Sequence, residues 1–180
     1  MNIKIMEIGS SEFGSYYSRY VDLVNGIPIK NLWDSGLKDV LTLMNNLTDD
    51  EALTRYQPGK WSLKEVFGHM MDTERIFCYR ALAVARGEEV IKGYDHNIYL
   101  ENAGFDRFSL SSLKNQYNIT REYSKSLFES FNEKESQRAG TVNNSTFSVR
   151  AMAYVAAGHE QHHLHTIAEK YLPVITQNDS

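Results

Sequence analysis

Apolar side chains recur along this chain at three- and four-residue intervals, the spacing of one helical face. From Glu12, the residues Phe13, Tyr16, Tyr17, Tyr20, Val21 and Val24 keep that period until Gly26 and Pro28 stop it. Trp33, Leu37, Val40, Leu41, Met44 and Leu47 predict a second helix from Asn31 to Asn46. Thr48-Asp49-Asp50-Glu51 has capping-box spacing and predicts a short helix before Pro58-Gly59. The strongest start signal is Ser62, an N-cap with Glu65 three residues on and a Trp61/Val66 hydrophobic staple across it. That helix is expected from Leu63 to Arg86, with Gly87 ending it. Residues 87–108 mix glycines with polar and aromatic residues and read as a long crossover connection. Leu110, Leu113, Tyr117, Thr120, Ser124, Leu127 and Phe131 predict a helix from Ser109 to Phe131. A polar stretch, Asn132 to Ser145, leads to a last long helix from Phe147 to Tyr171, with Pro173 just beyond it. Residues 1–11 read as an extended arm and residues 173–180 as a frayed tail. No strand pattern competes. The expectation is all-α: one domain over residues 1–180, a four-helix bundle with a long crossover connection.

Composition narrows the function. At 42% hydrophobic and 23% charged residues, the chain sits near globular averages, which excludes wholesale disorder. Its net charge is −4 and no Lys/Arg stripe occurs, so no nucleic-acid partner is expected. The longest apolar run, Ala151 to Ala157, is too short to span a bilayer, and the first seven residues hold no signal-peptide core. The lone cysteine, Cys78, forms no internal disulfide, in keeping with a reducing cytoplasm. It reads as a buried helix residue with nothing beside it in sequence to activate it.

The candidate chemistry is histidine. His159, His162, His163 and His165 cluster in the last helix, with His69 and His96 elsewhere. At about 100° per residue, Met152, Val155, Ala156 and Ile167 define an apolar stripe, and His159 and His163 fall inside it about 40° apart. His162 lies on its border, and His165, about 120° away from His159, faces solvent. An i, i+4 pair is the spacing by which one helix offers two imidazoles to one metal. Alone, it is more often a pair of hydrogen-bonded core histidines. An unsatisfied buried polar group costs about 1–3 kcal/mol, however, so two inward imidazoles require a partner.

His69, on the capped helix with Val66 and Ile76 along its row, is a third inward candidate. Gly68 precedes His69 and Gly158 precedes His159. Glycine inside a helix costs about 1 kcal/mol relative to alanine, so both helices are expected to meet a close neighbour there. Three neutral imidazoles would leave a divalent ion its full charge and an open position, the pattern of a catalytic site. Nitrogen ligands suit several ions, with zinc and nickel the first expectations.

Two other constellations share these letters. Glu160 and His163 form one ExxH, but a di-iron bundle needs a second, and none exists. His159-Glu160-Gln161-His162-His163 is HExxH in form, yet a helical bundle without a substrate-binding strand is not a zincin. Glu160, about 100° from His159, is expected on the helix flank, with an acid/base role kept open. Asp72 is a candidate acceptor behind His69, and Arg80 a candidate partner for an anionic substrate or cofactor carboxylate. For both, an ordinary ion pair is the more common alternative. His96 reads as a solvated loop histidine.

The run Lys60-Trp61-Ser62-Leu63-Lys64-Glu65-Val66-Phe67-Gly68-His69, with Asp72-Thr73-Glu74-Arg75, Tyr79-Arg80-Ala81-Leu82 and Ala85-Arg86-Gly87-Glu88 after it, resembles the DinB/YfiT-like superfamily. So does Ala157-Gly158-His159-Glu160-Gln161-His162-His163. The similarity runs from about residue 30 to residue 172. It implies a four-helix bundle of unusual connectivity that binds a divalent metal through His69, His159 and His163, in a homodimer. It further implies either a metal-dependent hydrolase or a transferase or isomerase that uses a low-molecular-weight thiol such as bacillithiol or mycothiol. Three functions therefore stay open: transfer of such a thiol to an electrophilic small molecule, hydrolysis by metal-bound water, and non-catalytic metal or ligand binding. The open metal position is expected at one end of the bundle, near the connections.

Overall fold

The computed structural model describes residues 8–178. Four long helices form a bundle: α2 (Ile29–Asn45), α3 (Leu63–Ala85), α5 (Leu110–Glu129) and α7 (Val149–Thr166). Helix α3 packs on α5 and α7, and α2 packs on the same two helices from the other side. Shorter elements join or brace them: α1 (Ser18–Val21), α4 (His96–Ala103), α6 (Glu133–Gln137) and α8 (Leu172–Asn178). No helix is long and apolar enough to cross a membrane among the described residues.

The local signals explain most helix limits. Ser62 accepts a hydrogen bond from the Glu65 amide at 3.0 Å, and the Glu65 carboxylate accepts one from the Ser62 amide at 2.8 Å. This reciprocal box starts α3 as the sequence predicts. Ser109 caps α5 and Ser148 caps α7 through their hydroxyls. Residues 86–109 form the expected crossover between α3 and α5.

Three expectations need correction. First, the fold is not purely helical. Strands β1 (Val90–Ile91), β2 (Ala139–Val142) and β3 (Ser145–Ser148) form a small sheet, β1 parallel to β2 and β2 antiparallel to β3. Asn143 and Asn144 turn the β2–β3 hairpin with φ of 50° and 61°, the two left-handed residues that a tight hairpin turn requires. Gly140 permits close approach to the end of α3: a Cβ there would lie 2.7 Å from Val84 Cγ2.

Second, the segment from Glu12 is not one helix. It forms 3-10 turns at Ser10–Glu12 and Ser15–Tyr17 before α1. Gly14 is extended and pressed on β3, where a Cβ would lie 2.5 Å from Ser145 Oγ. That contact breaks the helical period and lets Phe13 and Tyr20 enter the core. The predicted arm is docked from Ile8 onward, and Glu12 accepts hydrogen bonds from Arg150 at 2.6 and 2.8 Å. Its residues 1–7 lie outside the described residues.

Third, the tail does not fray at Pro173, and only its residues 179–180 lie outside the described residues. A π-turn over Ile167–Tyr171 shifts the register, and α8 follows directly. Pro173 then falls in the first turn of α8, where its missing N–H costs little. Tyr171 and Ile175 dock this end on the core.

The core is divided. One apolar cluster holds Trp33, Phe77, Phe128, Phe147 and Met152; the other holds Met44, Phe67, Leu113, Ile167 and Tyr171. Along each long helix, the residues between these clusters are polar or small: Gly36 on α2; Thr73 and Glu74 on α3; Thr120, Arg121 and Ser124 on α5; Gly158, His159 and Glu160 on α7. This polar belt crosses the bundle and carries the functional side chains.

Candidate metal centre

Helices α3 and α7 bring three histidines together across this belt. His69 Nε2 lies 3.0 Å from His159 Nε2, and His163 Nε2 lies 3.1 Å from the same atom. The ligand-capable nitrogens of the three all lie within 4.8 Å of one another. The two glycines beside them do what their cost suggests. A Cβ on Gly158 would lie 2.1 Å from the Tyr20 carbonyl oxygen, and one on Gly68 would lie 2.2 Å from the Phe105 ring. Each glycine lets another segment pack directly on the helix next to a histidine.

Burial keeps these imidazoles neutral. It pushes His69 down to about 4 and His163 to about 3, with neighbouring histidines adding to the effect, and it holds His159 well below the usual 6.5. A neutral Nε2 offers either one N–H or one lone pair. His159 Nε2 meets two nitrogens and can satisfy only one of them with a linear hydrogen bond. The remaining contact is left poorly directed. A cation accepting all three lone pairs removes that conflict. Two nitrogens bound at about 2.0–2.1 Å to one ion stand about 2.9–3.4 Å apart for angles between about 90° and tetrahedral, and the 3.0 and 3.1 Å separations fall in that range. The residues present therefore fit a divalent metal.

The triad opens on a cavity of about 390 Å³. Its walls come from the N-terminal segment (Tyr16, Tyr17, Arg19, Tyr20), from α3 (Thr73, Phe77, Arg80) and from the connections (Trp61, Tyr94, His96, Asn143). No aspartate or glutamate lines it among the described residues. On α7 the site lies where the first apolar cluster gives way to the second, and His69 sits on α3 among Val66, Phe67, Met70 and Met71 of the second cluster. The connections line the cavity through Trp61, Tyr94, His96 and Asn143.

The other sequence candidates fall in varied places. His165 is exposed, as helical geometry requires, and His162 is half-buried at the cavity wall with its ring 5.4 Å from Tyr20. His96 is exposed, but it is not a distant loop residue. It opens α4, and its ring lies 5.6 Å from that of His69. Asp72 pairs with Arg75 at 3.1 Å and lies outside the cavity lining. Arg80 is buried in the wall, its guanidinium over the Phe77 and Tyr94 rings. Cys78 is buried against Ser124 Oγ at 3.1 Å, and burial pushes its thiol up to about 12, so it is inert.

Glu160 corrects the angular reading most sharply. It is 3% exposed and points away from the cavity, into a cluster with Arg121, Glu74 and Tyr117. Arg121 donates two hydrogen bonds to Glu74 at 3.0 Å, one to the Trp33 carbonyl at 2.6 Å, and one to Glu160. Gly36 makes room for the carboxylate: a Cβ there would lie 1.8 Å from Glu160 Oε1. The reading assumed one buried face on the last helix. Helix α7 has several, because α1, α2 and α3 all pack on it. The flank about 100° from His159 therefore meets protein instead of water. Sequence reasoning missed Arg121, whose only signal was a cation one residue from the apolar row of α5.

The solved structure of YfiT from Bacillus subtilis, described as a probable metal-dependent hydrolase with an unusual four-helix bundle topology, superposes on this chain with a TM-score of 0.73. The two share 14% identity, and the match covers 96% of this chain and 95% of that one, so the likeness is one of fold. No curated protein sequence matches the chain. The sequence model of the DinB superfamily, in contrast, matches residues 32–167. That span reaches into all four bundle helices and includes His69, His159 and His163, and by it the chain belongs to the DinB superfamily.

Proposed function

We propose that this protein is a metal-dependent enzyme that transfers a low-molecular-weight thiol to an electrophilic small molecule. The observation that carries the reading is the convergence of three neutral imidazole nitrogens on a cavity with no carboxylate in its described wall. His69, His159 and His163 would hold a divalent ion, whose positive charge would favour the thiolate form of a bound thiol. The chain's own part is to position and shape that site. Burial keeps the ligands deprotonated near neutral pH. Tyr17, Tyr20, Trp61 and Phe77 provide apolar walls for an electrophile.

Hydrolysis is the second reading, favoured by the description of YfiT as a probable metal-dependent hydrolase. Water on a divalent ion held by three imidazoles would have a pKa of about 7, and a protein base would assist its proton transfer without being required. Glu160, the base that the HExxH letters suggest, is bound to Arg121 and faces away from the cavity.

The test is the pH dependence of thiol alkylation by 1-chloro-2,4-dinitrobenzene, with and without zinc-loaded protein, across a panel of biological thiols. The expected result is saturable, protein-dependent thiol consumption that extends to lower pH and vanishes with a chelator or in His159→Ala. An unchanged rate and profile across the panel removes the transferase reading. Ester turnover without thiol would then establish the hydrolase, and neither activity would leave a ligand-binding protein.

A further inference from the structure

The cavity contains a buried cation that this chemistry does not use. Arg80 is 2% exposed, with its guanidinium carbon 5.4 Å from the Phe77 ring centroid and 5.3 Å from that of Tyr94. It has no hydrogen-bond or carboxylate partner among the described residues. Arg121, equally buried, is neutralised by Glu74 and Glu160. Buried guanidinium groups are ordinarily paired in that way, because an isolated charge out of water is costly. Arg80 has only two aromatic faces, and it lines the same cavity as the histidine triad.

Its position on α3 relates it to the triad. Thr73, Phe77 and Arg80 follow His69 at offsets of four, eight and eleven residues and share its helical stripe. His69 and Arg80 thus stand at two ends of one wall, with Cα atoms about 16 Å apart along the axis. Two side chains and an elongated ligand together bridge that distance. Between them, Thr73 Oγ1 and the Tyr94 hydroxyl hydrogen-bond at 3.2 Å, giving the wall a polar step.

We propose that Arg80 anchors a carboxylate of the cavity's small-molecule ligand, so that the site selects elongated molecules with a carboxylate at one end and the reacting sulfur or electrophile at the other. Planar, forked guanidinium donors suit a carboxylate bidentately, and the two aromatic rings hold the fork in place. The proposal deepens the thiol-transfer reading and rests on it only for the identity of the far end.

The test is calorimetric titration with 6-mercaptohexanoate, 6-mercaptohexanol, hexanoate and hexanol. Each acid is expected to bind about tenfold tighter than its alcohol, the scale of one charge-assisted hydrogen-bonded pair. Arg80→Gln should erase that preference and Arg80→Lys should keep part of it. The hexanoate–hexanol comparison is run on chelator-treated protein, where neither a thiol nor a metal contributes, so it stands or falls apart from the thiol reading. If the anchored carboxylate belongs to the thiol, 6-mercaptohexanoate binds zinc-loaded protein more tightly than hexanoate does and displaces it. If it belongs to the electrophile, hexanoate binds undiminished under saturating 2-mercaptoethanol. Equal binding of acid and alcohol to the chelator-treated wild-type protein overturns the proposal, whatever the stability of the variants. So does a preference that survives in Arg80→Gln.

Discussion

His159 meets two other imidazole nitrogens at 3.0 and 3.1 Å, and its neutrality has a measurable consequence. Folding lowers the histidine values from 6.5 to about 4 for His69 and about 3 for His163, and lowers His159 as well. Between those values and 6.5, the unfolded chain binds more protons than the folded one, so stability falls as pH falls through this window. Each histidine can contribute up to about 1.4 kcal/mol per pH unit there. Thermal unfolding of chelator-treated protein from pH 7.5 to pH 4.5 should show a progressive drop in Tm, shallower in His163→Ala. A flat profile would mean that the triad is solvated.

Arg121 predicts the opposite kind of effect, one of structure without chemistry. Removing one partner of a buried ion cluster costs about 3–5 kcal/mol, because the remaining charges are left uncompensated. Arg121→Met leaves Glu74 and Glu160 facing each other and should lower urea stability by that amount. Glu160→Gln, which keeps the shape and leaves Arg121 paired with Glu74, should cost less and leave metal content unchanged. Loss of metal in Glu160→Gln would return Glu160 to the active centre.

At the scale of elements, Gly158 sets two effects against each other. Alanine is the better helix former by about 1 kcal/mol. Its Cβ, however, would meet a backbone oxygen of Tyr20, which cannot swing aside as a side-chain tip can. Overpacking of this kind costs about 1–3 kcal/mol, so Gly158→Ala should destabilise the protein on balance. Amide exchange should locate the loss in residues 13–24, which pack over α7 and wall the cavity. A stabilised variant would show that helix propensity wins and that the contact is soft.

The same element scale shows where the sequence was legible. The Ser62–Glu65 box marked the start of α3 because a cap is a strictly local interaction. The two glycines were informative because their cost is local and their benefit is not. The Asn143-Asn144 hairpin was missed because its strands are only four residues long, below the length at which alternation stands out. The first segment misled because its aromatic spacing is truly helical; contact between Gly14 and β3, distant in sequence, overrides it.

At the scale of the whole molecule, the four long helices followed from periodicity, but their arrangement did not. Helix α7 reads as one-faced in sequence and is packed on several sides, so the flank on which Glu160 is expected is buried in the belt. The belt itself could not be read from one helix at a time, since it exists only where the polar breaks of four helices align. Beside it, His69 of α3 meets His159 and His163, some ninety residues later. A ligand that binds only the folded state at 100 times its Kd adds about 2.7 kcal/mol. Zinc at that level should therefore raise Tm in the wild type and leave it unmoved in His69→Ala.

The most direct measurement is the metal content of purified protein after zinc loading and dialysis, by mass spectrometry of the element, for wild type and four alanine variants. One ion per chain is expected in the wild type and in His165→Ala. Stoichiometric zinc should be lost in His69→Ala, His159→Ala and His163→Ala. Full zinc content in His69→Ala, or a loss in His165→Ala equal to that in His163→Ala, would contradict a centre built from α3 and α7.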